Sequence, residues 1–197
     1  GAWTLAPAAA GRLELALTPG GAGTVTQTAG GLSAASLAVS ALTGSGTVQI
    51  GQAGNSLPVV EANALGAISI ATAGALEVRH TTTGGNVSYR ATDITLSTTG
   101  LAAGQTTIEA PGSVVSLTAT AGDITGTAPQ AVVRAGTLTA SATAGEVRLT
   151  GDNAVGTLAA TARDGVVFRD TGALTASAVG AGGPGTAVAG DVDIAAP

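Results

Sequence analysis

GTLTASATAGEV (136–147) aligns on GTLAATARDGVV (156–167) without a gap, matching at seven of twelve positions with a shift of 20. GTLTASA (136–142) returns as GALTASA (172–178), and LTATAGDI (117–124) is a third relative. In the copies at 136, 156 and 172 a glycine precedes alternating apolar and small polar residues, the period-two pattern of a half-buried strand, and the Thr and Val content agrees. The unit Gly-x-Φ-x-Φ, with Φ apolar, then appears along the chain. It occurs at Gly11-Leu13-Leu15, Gly46-Val48-Ile50, Gly66-Ile68-Ile70, Gly74-Leu76-Val78 and Gly85-Val87-Tyr89. It continues at Gly136-Leu138-Ala140, Gly145-Val147-Leu149, Gly156-Leu158-Ala160, Gly172-Leu174-Ala176 and Gly190-Val192-Ile194. Each unit reads as a turn followed by a strand, and two strands fit in a repeat of about 20 residues. Those are the dimensions of one coil of an all-β parallel β-helix, or β-solenoid. Coils stacked at roughly 4.8 Å predict about ten coils and a rod about 45 Å long.

An antiparallel sandwich or barrel is the rival. It would favour Asn-Gly or Asp-Gly hairpin turns and bulky inward residues. Asp164-Gly165 is the only such dipeptide, and inward Ala and Gly suit a narrow interior better. The passage LSAASLAVSAL (32–42) reads equally as helix or as a strand with Leu37, Val39 and Ala41 inward. Residues 1–197 form one solenoid segment, because no composition shift divides them. The glycine-rich stretches at 19–23, 100–104 and 180–185 are excursions from the coils.

Composition narrows the function. Gly, Ala and Thr supply 104 of 197 residues, and the aromatics are one Trp, one Tyr and one Phe. All seven basic residues are Arg, there is no Cys, and there is one His. Lys-dependent phosphate or Schiff-base chemistry, thiol catalysis, disulfides and zinc thiolate sites are thereby excluded. The net charge is −5, which argues against a nucleic-acid partner and against an anionic membrane surface. No run of 18 apolar residues exists, and three aromatics cannot make the two girdles of a lipid-facing barrel. No membrane insertion is expected. The chain begins without Met or a signal peptide, as expected for a processed chain or an internal portion of a longer one.

The residues from about 112 onward resemble the repeat region of filamentous haemagglutinin-like exoproteins, the adhesins exported by two-partner secretion. LTATAGDIT (117–125), GDNAVGTLAATARDGVVFRDTGALTASAVGAGG (151–183) and GDVDI (190–194) carry the likeness. The resemblance implies a right-handed parallel β-helix on the bacterial surface or outside the cell. It also implies attachment, biofilm or filament formation, and an outer-membrane two-partner transporter during export. Partners would be a surface receptor or glycan, with end-to-end or lateral self-association. The family's N-terminal secretion domain has no counterpart here, so this would be an interior portion.

No catalytic, cofactor or metal site is expected, although several groups invite one. Glu77, Arg79, His80, Tyr89 and Arg90 form the densest run of functional side chains, in LEVRHTTTGGNVSYR (76–90). With Leu76, Val78, Val87 and Tyr89 inward, the charged members face solvent. The run is then either a ligand-contact patch or an ordinary coil face. Asp93, Asp123, Asp152, Asp164, Asp170, Asp191 and Asp193 would serve a carbohydrate-active β-helix, a lyase or glycosidase, if several met in one groove. At turns, Asp more often satisfies backbone. A 20-residue stack would bring Asp152 to Arg169 or Asp170, and Asp170 to Asp191. Asp191-x-Asp193 lacks the glycine-rich nonapeptide of calcium-binding repeats. Thr24-x-Thr26-x-Thr28, Thr118-x-Thr120 and Thr137-x-Thr139 suggest outward Thr rows, as on an ice- or surface-binding solenoid, or merely solvated strand faces.

Overall fold

The computed structural model describes residues 2–5, 8–16, 23–44, 46–182 and 191–197. These form seventeen strands and no helix, and neighbouring strands pair in parallel throughout. The passage 32–42 is therefore strand, Leu32–Ala41, with Leu37, Val39 and Ala41 inward. The solenoid makes about seven turns of about 23 residues, against the ten turns of 20 that the repeat predicts. Laps differ in length because their corners differ. Ile68 lies under Val87, 19 positions on, but Val87 lies under Val115, 28 positions on. The long lap holds the excursion around Gly100 and Gly104, both at positive φ, and the Pro111-Gly112 corner.

Each lap has three sides rather than two. In one lap Val87–Ala91 forms the first side, Ile94–Leu96 the second, and 108–110 the third. The next lap repeats this with 115–119, Ile124–Gly126 and 133–135. The third side is short and lacks the Gly-x-Φ-x-Φ mark, so the sequence does not announce it. In Leu32–Ala41, Val59–Ala64 and Leu76–Thr83 the second and third sides run together as one strand.

Inside, like stacks on like. Val25, Val48, Ile68, Val87, Val115, Leu138 and Leu158 form one buried column on the first side. Beside it Ala119, Ala142 and Ala162 stack, so the interior narrows towards the corner. Each buried Val, Ile or Leu contributes roughly 1.5–3 kcal/mol through apolar area removed from water.

The glycines of the repeat mark corners where successive laps nearly touch. Gly46, Gly66, Gly85, Gly136 and Gly156 stand two residues before the inward column of the first side. A Cβ on Gly136 would lie 2.8 Å from the carbonyl of Gly112, and one on Gly156 2.9 Å from the carbonyl oxygen of Gly136. At the corner between the first and second sides, Gly122 and Gly145 leave room for a carboxylate from the lap before. A Cβ on either would overlap the side chain of Asp93 or Asp123.

Buried amides pin other corners. Asn153 is fully buried; its Oδ1 accepts the Val133 N–H at 2.8 Å, and its Nδ2 donates to the carbonyls of Leu149, Gly151 and Arg169. Asn55, also fully buried, accepts the Leu32 N–H at 2.8 Å and exchanges two hydrogen bonds with Gln27. In both places a threonine one lap on closes the corner: Thr72 donates to the Asn55 carbonyl at 2.9 Å and Thr171 to that of Asn153 at 2.8 Å.

Tyr89 is the largest fully buried side chain, and its hydroxyl meets that of Thr81 at 2.6 Å inside the coil. Burial pushes the phenol far above its usual range, so it stays neutral. Tyr89→Phe leaves the buried Thr81 hydroxyl unsatisfied and should cost about 1–2 kcal/mol. Tyr89→Phe with Thr81→Val should recover most of that. A double-mutant cycle by denaturant unfolding checks it, and additive losses would mean the two hydroxyls do not depend on each other.

Candidate functional site

The run 76–90 does not form one patch. Leu76, Val78, Val87 and Tyr89 point inward as expected, but the polar residues separate onto different sides. Glu77 and Arg79 pair on the second side at 3.0 Å. A register shift after Val78 carries His80 to the third side. There Nδ1 donates to the Thr106 carbonyl at 3.1 Å, so in the neutral ring Nε2 accepts from the Thr82 hydroxyl at 3.1 Å. Tyr89 is interior and beyond a ligand's reach, whereas Arg90 stands exposed on the first side.

The Arg79 hydrogen bond is the main cause that holds the Glu77 carboxyl below its ordinary range, aided by Ser97 and the Arg79 charge and opposed by partial burial. Folding therefore favours ionised Glu77. The contribution is complete above the unfolded pKa and is lost as pH falls through the lower folded value. Solvent screens the pair, so the effect on stability is small. The Glu77 carboxyl carbon should titrate at lower pH than in an unstructured peptide, and Arg79→Ala should move it back up; an unmoved midpoint by NMR would refute the assignment.

The aspartates are distributed along the rod, and three of them, Asp93, Asp123 and Asp170, hold its backbone. Asp93 Oδ1 accepts the Asp123 N–H of the next lap at 3.2 Å, and Asp123 Oδ1 accepts the Glu146 N–H at 2.8 Å. This staircase, one carboxylate over a glycine per lap, accounts for the Gly-Asp pair at 122 and 123. Asp152 does meet Arg169, at 3.1 Å on the surface. Asp170 does not join it: the Asp170 carboxylate is buried and accepts the N–H groups of Val155 and Gly172 at 2.8 and 2.7 Å. Nor does Asp191 reach Asp170, since Asp191 stacks on Gly165 and Asp193 on Val167. Among the described residues no three His, Asp or Glu side chains are placed to hold a metal ion.

The feature that linear reading missed is the outer face of the first side. Thr26, Gln49, Ser69, Ser88, Ser116 and Thr139 stack in one outward column. Thr118, Ser141 and Thr161 stack in a second, directly beyond Arg90. Thr47 donates to Thr24 at 3.1 Å and Thr161 to Ser141 at 3.4 Å. The Thr rows thus recur once Ser and Gln are counted with them, because the alternation fixes the side of the sheet and not the residue type. The strands of this side carry a single charged residue, Arg90, while all twelve Asp and Glu lie on the other two sides or at corners. No family model, no curated protein and no solved structure matches the chain.

Proposed function

We propose that this chain is a rigid, non-catalytic adhesive segment of a secreted or surface-displayed bacterial exoprotein of the filamentous haemagglutinin-like kind. The carrying observation is the division of labour around the coil. The acids and the arginines other than Arg90 occupy two sides and the corners, where most of them pair or bond to backbone, and the first side is left with rows of hydroxyls. A stacked parallel coil resists bending because its backbone ladders run along the rod, and such a rod holds a contact surface away from the cell. The likeness carried by 117–125, 151–183 and 190–194 supports the same reading and brings with it export through an outer-membrane two-partner transporter. Receptors, glycans and neighbouring copies of the rod are the partners proposed. The alternative, a carbohydrate-active enzyme, draws less support, because Asp93, Asp123 and Asp170 are engaged with backbone and Asp152 with Arg169.

Beads coated with the chain should adhere to host-cell or bacterial monolayers above uncoated beads, and electron microscopy should show straight rods or fibres. Beads that do not adhere would refute the adhesive role. Release of reducing sugars from acidic polysaccharides, abolished by Asp152→Asn, would overturn the non-catalytic one.

A further inference from the structure

We infer that the hydroxyl side binds an anionic polysaccharide, with Arg90 receiving an oxyanion of the sugar chain and the Ser and Thr columns receiving its hydroxyls; this deepens the adhesive reading and rests on it. Six of the seven arginines are ion-paired: Arg12, Arg79, Arg134, Arg148, Arg163 and Arg169 each lie within 4.0 Å of a carboxylate. Arg90 has no such partner among the described residues, and it is exposed. It borders a depression of about 360 Å³ at the edge of the first side, lined also by Gly51, Ala53, Ala71, Thr72 and Thr120. Small side chains make this hollow. Ala71 precedes Arg90 in its column and Thr118 follows it, so nothing long overhangs the guanidinium.

A second depression, about 210 Å³, lies further along the same edge beside Arg163. There the guanidinium is already held by Asp164 through two hydrogen bonds of 2.7 and 2.9 Å, so of these two hollows only that of Arg90 offers a cation unmatched among the described residues.

The surroundings select the ligand. A guanidinium offers a planar fork of N–H donors that fits a carboxylate or sulfate. The neighbouring hydroxyls both donate and accept, which matches a polyhydroxylated chain. A nucleic acid or an anionic bilayer would need many cations to offset its dense charge, and a protein of net charge −5 repels both. One cation on a neutral face suits a polymer whose charges are sparse.

Surface-immobilised chain titrated with hyaluronan, which carries carboxylate only, with keratan sulfate, which carries sulfate only, and with neutral dextran tests this. Hyaluronan or keratan sulfate should bind, showing which oxyanion serves, with dextran weaker than either. Arg90→Ala should weaken binding at least about tenfold, Arg90→Lys should weaken it less, and Arg163→Ala should leave it unchanged. Arg90 is exposed, so the variants should unfold at the native midpoint. Equal binding of dextran, binding untouched by Arg90→Ala, or no binding to either anionic chain overturns the inference. If coated beads still adhere in those cases, the adhesive reading survives without it.

Discussion

Asn153→Ala is expected to lower the unfolding free energy by about 3–5 kcal/mol. The substitution leaves the Val133 N–H and the carbonyls of Leu149, Gly151 and Arg169 without their partner, in a corner closed to water. Each buried group left unpaired costs about 1–3 kcal/mol, and the four share one amide, so the losses overlap rather than sum. Each lap contacts only its neighbours, so the damage stays local: the laps between Val133 and Thr171 should open first. Denaturant unfolding measures the total, and faster amide exchange at Val133 locates it. A loss below about 1 kcal/mol would mean that a water molecule takes over the amide's bonds.

Gly85→Val is expected to cost about 2–4 kcal/mol, while Gly74→Ala should change stability by less than about 1 kcal/mol and in the favourable direction. Both glycines open a Gly-x-Φ-x-Φ unit and look alike in sequence. A Cβ on Gly85 would lie 2.6 Å from Ala67 N and Gly66 C, which are backbone atoms of the lap before and have no rotamer to yield. A Cβ on Gly74 would meet nothing within 4 Å, and its φ is not positive. Alanine there mainly reduces the freedom of the unfolded chain. Equal effects at both sites would show that the corner column does not limit how closely laps approach.

The paired copies at 136 and 156 show how far linear reading reaches. Their 20-residue shift sets the first side correctly, with Leu158 over Leu138 and Ala160 over Ala140. Carried past the corner, the same shift would put Val167 over Val147. Instead Val166 stacks on Val147 and Phe168 on Leu149, one residue earlier. Burial decides this, because only that register turns Val166 and Phe168 inward and Val167 outward. The third copy departs further: Thr175 lies over Thr157 and Ala176 over Leu158, leaving Leu174 ahead of its strand. Thr171 and Asp170 pin the corner before it to Asn153 and Val155, which shortens that lap to 18 residues. The polar residues of 76–90 spread over different sides for a related reason. Residues close in sequence but separated by a corner face different directions, so density along the chain is no guide to density in space.

Alternation over two to five residues marked most of the strands and much of the interior of this chain, and the 20-residue return of that pattern marked them as parallel, because burial of one strand face repeats with each lap. What only the stacked coil decided is where polar groups meet: Asp93 under Gly122, Asn153 among four backbone partners, and Arg90 alone on a hydroxyl side. The stacked positions behind these meetings are 17 to 30 residues apart, and the separation depends on how many residues each corner takes up. Corner length is set by close packing of one lap on the next, a condition that no stretch of sequence carries by itself.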